Sequence, residues 1–152
     1  MKRSAALTSL SRDHHQALFV AHQLRRADAG SAAAAQARFR QYWDEHGRSH
    51  FRLEEEVLLP GFAAHGNAHD PLVLRVLGDH VDIRARAGRL LDDPSPAAGT
   101  LHDLGERLAA HVRLEERELF PMLEQVIPPA ELLALARALE PRRSGPARPR
   151  AR

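Results

Sequence analysis

Apolar residues recur along the chain at helical spacing in five stretches, and nothing alternates with period two over a useful length. The first stretch starts at Ser9 or Ser11 and runs to Ala27, with Leu10, Ala17, Leu18, Ala21 and Leu24 on one face; it closes before Gly30. Ser31 is expected to cap a long second helix whose inward positions include Phe39, Tyr42, Trp43, His46, His50, Leu53 and Val57. Pro60-Gly61 should end it, since proline lacks a backbone donor and glycine permits a reversal. Asp70-Pro71 opens a third helix carrying Leu72, Val76, Leu77, His80, Ile83, Ala87 and Leu91. After the break at residues 92–96, a fourth helix from about Ala97 bears Leu101, Leu104, Leu108, His111, Leu114, Glu115, Leu119 and Met122. Pro128-Pro129 introduces a short fifth helix, Ala130 to Glu140. Four apolar stripes joined by short breaks predict an all-α protein, an up-down-up-down four-helix bundle with a short C-terminal fifth helix.

Composition supports a single helical domain. The 152 residues suffice for one core, and 43% hydrophobic content with only 5% aromatics suits Leu/Ala-rich helices better than strands. Cysteine is absent, which excludes disulfides, thiolate nucleophiles and iron–sulfur ligation. No stretch is long and apolar enough to span a bilayer and the N-terminus has no signal-peptide core, so a cytoplasmic location without membrane contact is expected. The net charge of +2 is unevenly placed: residues 141–152 hold five of the 22 basic residues and no acid. The body, residues 1–140, therefore has 17 basic against 20 acidic side chains, and the Pro/Arg-rich tail reads as a disordered end before an electrostatic arm for nucleic acid or acidic partners, which charge alone supports only weakly. Such a body offers no basic face for nucleic acid.

The polar residues carry a repeat. HFRLEEEVLLP (His50 to Pro60) returns 61 residues later as HVRLEERELFP (His111 to Pro121), identical at seven of eleven positions. A weaker echo relates His15-Gln-Ala-Leu to His80-Val-Asp-Ile on the other two helices. Residues four apart lie on one helix face, so His50 with Glu54, and His111 with Glu115, present an imidazole and a carboxylate together. That face is the apolar one. A buried carboxylate is costly unless it is paired or bound to metal, and packing alone would repeat Leu and Ala rather than His-x3-Glu. Four imidazoles and two carboxylates converging in a core point to shared cations. Nitrogen and oxygen donors without thiolate suit iron, manganese or zinc, and six ligands fit two bridged six-coordinate ions better than one zinc. Glu55, Glu56 and Glu116 read instead as a solvated face, and His65, His69 and His102 as loop or surface residues.

On these residues the chain resembles the hemerythrin-like (HHE cation-binding) domain proteins. The likeness rests on DHHQALF (13–19), His50-x3-Glu54 running into Leu-Leu-Pro, Asp79-His80-x2-Ile83, and His111-x3-Glu115 running into Leu-Phe-Pro; it covers most of residues 5–128. It implies a non-haem, oxo- or hydroxo-bridged centre of two Fe ions. The positions matching the family's ligand pattern are His15, His50, Glu54, His80, His111 and Glu115, with Glu54 and Glu115 as bridging carboxylates. His15 is chosen over His14 because His-x2-Leu-Phe fits the family phase; His22 and His46 point roughly inward and read as core or rim histidines before spare ligands. Oxygen-carrying members have a further histidine one turn after His80, where this chain has Arg84.

The resemblance implies a protein that binds or senses O2 or a related small oxidant, nitric oxide or peroxide. Two alternatives stand beside it. One is a di-iron enzyme with peroxidase-like or nitric-oxide-reducing activity, in which Arg84 steers an anionic substrate. The other is an iron-handling or signalling module with an unknown protein or redox partner.

Overall fold

The structure, a computed structural model, describes residues 3–143 and contains only helices among them. A short 3-10 turn, Ala5–Leu7, leads into α1, Thr8–Arg26. The second helix, α2, runs through residues 32–63, α3 covers Pro71–Asp92, α4 runs through residues 98–126, and α5 covers Pro129–Arg143. The fifth helix therefore extends three residues into the expected tail, and residues 144–152 lie outside the described residues. Asp70 caps α3 as its sequence position suggests, accepting from the Leu72 N–H at 2.8 Å. Ser31 precedes α2 but does not cap it; its hydroxyl and amide are tied back to Asp28.

Pro60 does not end α2. The helix widens into a π segment at Glu54–Leu58, where the Leu59 N–H reaches back five residues to the Glu54 carbonyl, and then continues to Ala63. The same device precedes Pro121 in α4: Glu115–Leu119 is a π segment, with the Phe120 N–H bonded to the Glu115 carbonyl. The extra residue gives each proline ring room against the preceding turn, so the helix is carried through a residue that would otherwise break it. It also moves the buried position on by one. Leu58 rather than Val57 is fully buried, and Phe120 and Leu123 are buried where Met122 is only half-buried.

The interior falls into two apolar clusters. One takes residues 17–27 in and just after α1, 32–51 of α2, 83–91 of α3 and 101–112 of α4. The other takes residues 6–10, 53–62, 73–76 and 114–139. Each of α1 to α4 crosses from one cluster to the other, and the order reverses at every successive helix, as an up-down-up-down bundle requires; α5 packs within the second cluster alone. α1 packs mainly on α4, and Gly105 makes that approach possible: a Cβ there would lie 2.8 Å from the Ala21 carbonyl oxygen and 3.0 Å from Leu24 Cβ. Among the described residues, no helix is long and apolar enough to cross a membrane.

Candidate metal centre

The crossing point between the two apolar clusters is a polar layer. Its members are His14, His50, Glu54, His80, His111 and Glu115, the buried polar side chains among the described residues, and both glutamates are 0% exposed. α2 and α4 each contribute a histidine and a glutamate one turn apart; α1 and α3 each contribute one histidine.

Five of the residues singled out from sequence, His50, Glu54, His80, His111 and Glu115, are brought together here. His15 is not. It is exposed and lines a separate groove, while His14 faces the layer. The reason is helix phase. The buried face of α1 is Leu10, His14, Ala17, Ala21 and Leu24, spaced alternately four and three apart, and His15 falls about 100° off that line. The corresponding echo is Asp13-His14 with Asp79-His80, not His15 with His80. The large side chains of Leu18 and Phe19 mislead here, since Phe19 is 62% exposed and the small Ala17 and Ala21 form the core. His22 is exposed and His46 half-buried at the groove, so neither faces the layer. His65, His69 and His102 lie outside it too, with His65 paired to Glu131 and the His102 ring donating to the Ala27 carbonyl at 2.6 Å.

Within the layer the donor atoms form two groups of four. One contains His14, His50, Glu54 and Glu115; the other contains His80, His111, Glu54 and Glu115; in each, the ligand atoms lie within 4.8 Å of one another. Glu54 turns Oε1 to His50 Nε2 (2.7 Å) and His14 Nε2 (4.0 Å), and Oε2 to His80 Nε2 (3.1 Å). Glu115 turns Oε2 to His14 Nε2 (2.9 Å) and His50 Nε2 (4.0 Å), and Oε1 to His111 Nε2 (2.7 Å) and His80 Nε2 (3.5 Å). Each carboxylate thus presents one oxygen to each group.

Six of these buried atoms have no hydrogen-bond partner: Nε2 of His50, His80 and His111, both oxygens of Glu54, and Oε1 of Glu115. They approach one another without hydrogen-bond alignment. Buried polar atoms are otherwise almost always satisfied, so a convergent set of orphans fits donors arranged around cations.

The outer ring nitrogens are all occupied. Nδ1 of His14 meets Glu116 at 2.6 Å, His50 meets Asp13 at 2.9 Å, His80 meets Glu55 at 2.7 Å, and His111 meets Asp79 at 3.2 Å. A carboxylate on Nδ1 fixes a ligating imidazole's orientation and leaves Nε2 as the inward donor atom. Glu55 and Glu116 are therefore not merely solvated, as their sequence suggests; Glu56, paired loosely with Arg52 at 3.5 Å, does lie exposed. Each of the four carboxylates sits next in sequence to a layer residue on its own helix and holds the histidine of another helix. The adjacent acid in Asp-His and in Glu-Glu was the available signal.

The carboxylates around the layer hold protons on its imidazoles. Burial pulls every imidazole down, yet the carboxylates outweigh it. His14 is raised through its bonds to Glu115 and Glu116. His50 lies well above its ordinary value through Glu54 and Asp13. His80 rises to about 9 through Glu115 and Glu54, and His111 to about 10 through Glu115 and Asp79. Burial would raise Glu115, but His111 and the other imidazoles hold it well below the carboxylate range. A divalent ion could replace these protons without leaving the carboxylates uncompensated.

No curated protein and no solved structure matches the chain. The family model that matches is the hemerythrin HHE cation binding domain, over residues 5–123, a span that contains every member of the layer. With a helical bundle, a buried His/Glu cluster and this match over most of its length, the chain belongs to the hemerythrin HHE cation-binding family.

Proposed function

We propose that the layer holds two iron ions and that the protein binds or senses O2 or a related small oxidant there. The observation that carries this reading is the division of the two carboxylates. Glu54 and Glu115 each offer one oxygen to each four-donor group, the arrangement expected of ligands that bridge two ions. His14 and His50 would complete one set, His80 and His111 the other. Each set would hold its ion with two imidazoles and one oxygen from each glutamate. Iron bound there would supply reversible electron transfer to the oxidant.

The chain's own residues set what can reach the centre. The layer lies between two aliphatic and aromatic clusters, which exclude bulk water and favour a small molecule over a bulky or highly charged one. The four outer carboxylates keep the imidazoles turned inward, so binding need not reorganise the bundle.

Metal analysis of protein purified with added iron, with an optical spectrum recorded before and after the reduced protein meets air, tests the reading. Two irons per chain and an absorption change on oxygenation are expected. Full iron loading without any change on exposure to O2, nitric oxide or peroxide would count against oxidant binding. The enzyme alternative loses part of its motive, because Arg84 is committed to Glu55 at 2.8 Å and lies over Phe51 rather than being available to steer an anion.

A further inference from the structure

The two kinds of helix in the layer hold their histidines differently. On α2 and α4 the helix itself fixes a His and a Glu one turn apart, so two donors share one rigid backbone. α1 and α3 each bring a lone imidazole, His14 or His80, with no partner donor on the same helix.

Each lone imidazole is enclosed by the same three kinds of side chain. His14 Nδ1 bonds Glu116 at 2.6 Å; Glu116 is held by Arg3 Nη2 at 3.0 Å; the His14 ring stacks on Phe120, with centroids 5.3 Å apart and planes at 13°; and Arg3 lies 5.3 Å over that Phe120 ring. His80 Nδ1 bonds Glu55 at 2.7 Å; Glu55 is held by Arg84 Nη1 at 2.8 Å; the His80 ring stacks on Phe51 at 3.8 Å and 3°; and Arg84 lies 5.7 Å over Phe51. Edge, face and outer support are the same in both.

The sequence repeat does not explain this likeness. Glu55 and Glu116 are equivalent within it, but Phe51 corresponds to Val112 and Phe120 to Leu59. Arg3 precedes α1, whereas Arg84 lies within α3. Apart from the glutamates, the same support is assembled twice from positions that the repeat does not relate. A shared physical demand accounts for it: a histidine without a chelating neighbour must be held by its surroundings if Nε2 is to stay on target.

We propose that Arg3 and Arg84 are positioning residues for the metal centre, each acting through a glutamate and a phenylalanine on one lone histidine, Arg3 on His14 of α1 and Arg84 on His80 of α3. The inference rests on the reading of the layer as a metal centre. Arg84 then serves the centre from outside the donor set. An arginine spans both Glu55 and the Phe51 face, which a shorter or uncharged side chain cannot do.

The test compares wild type with Arg84→Gln, Arg3→Gln, the double variant, and Arg52→Gln as an exposed-arginine control. Iron content, the rate of iron loss to a chelator, the absorption spectrum with and without azide, and the melting temperature of the metal-free chain are measured. Roughly 10- to 100-fold faster iron loss or weaker iron binding is expected in each Arg3 and Arg84 variant. The spectrum should shift, the metal-free melting temperature should stay close to wild type, Arg84→Lys should partly restore retention, and Arg52→Gln should change nothing. Wild-type retention and spectra in the double variant would overturn the proposal. So would equal losses of melting temperature with and without iron at unchanged affinity, because they would mark a structural role only. A wild-type chain that takes up no metal would instead overturn the reading of the layer itself.

Discussion

The polar layer and the groove between α1 and α2 have nearly the same side-chain chemistry and opposite character. The layer holds His14, His50, His80 and His111 with Glu54 and Glu115; the groove, about 660 Å³, is lined by His15, His46, Glu45, Arg38, Tyr42 and Phe19 among others. In the layer each imidazole has a carboxylate at both ring nitrogens and is almost fully buried. In the groove the nearest such approach is His46 to its neighbour Glu45, 3.9 Å apart with both side chains about half exposed. Solvent screens that pair, and it contributes little. Histidines and glutamates become a metal site when apolar packing removes water and a second set of partners fixes the donors.

Removing a carboxylate shared by the two donor groups should separate the two regions most sharply. Glu115→Ala takes one donor from both four-atom groups and leaves several raised imidazoles without their counter-charge, as does Glu54→Ala. Metal binding should be lost, and the metal-free chain should lose about 3–5 kcal/mol, the usual result of breaking a buried charge pair. Denaturant unfolding with metal analysis checks both; Glu45→Ala in the groove should leave both unchanged.

Adjacent histidines give the next contrast. His14→Ala should weaken metal retention at least tenfold, whereas His15→Ala, one residue away and exposed, should retain full loading and change stability by no more than about 0.5 kcal/mol. Equal effects at both positions, read by chelator competition, would contradict the placement of α1.

A pH titration of the metal-free chain should follow. The folded pKa values of His80 and His111, about 9 and about 10, lie above the ordinary 6.5, so the folded state holds these protons more tightly than the unfolded chain does. Their contribution to stability is complete below about 6.5 and is lost as pH rises through 9 and 10. The denaturation midpoint should therefore fall between pH 6.5 and 10. Metal retention should move the other way, improving from acid toward neutral pH, because ions compete with protons for the same nitrogens.

Tyr42, a buried member of the groove lining, should give the smallest effect. Burial pushes its phenol up to about 12, so it is neutral at working pH, and Tyr42→Phe removes only a hydroxyl. Iron content should be unchanged and stability should fall by no more than about 1 kcal/mol. A large loss of iron would extend the centre into the groove.

Much of the site was legible because the repeated His-x3-Glu places polar pairs on an apolar face, and a helix turns that spacing into proximity without help from the rest of the chain. The π segments were not legible. A π turn inserts one residue into the count, so the pattern read through Leu53 points to Val57 when the buried residue is Leu58. Proline gave the only hint, and by itself it reads as a helix end. Glu55 and Glu116 were equally hidden, because each serves a histidine on a different helix.

The sequence by itself determined that four amphipathic helices form, that they close over an apolar interior, and that two of them carry His-x3-Glu into it. Those features depend on residues within a few turns of one another. Only the tertiary structure decided between His14 and His15, since neighbours differ by about 100° around a helix and the choice needs the phase set by packing against the other three. It likewise decided which acid holds which imidazole, and that Arg3 and Arg84, 81 positions apart in the chain, meet the centre in the same way. Contacts between helices depend on their relative rotation and depth, which no local pattern records.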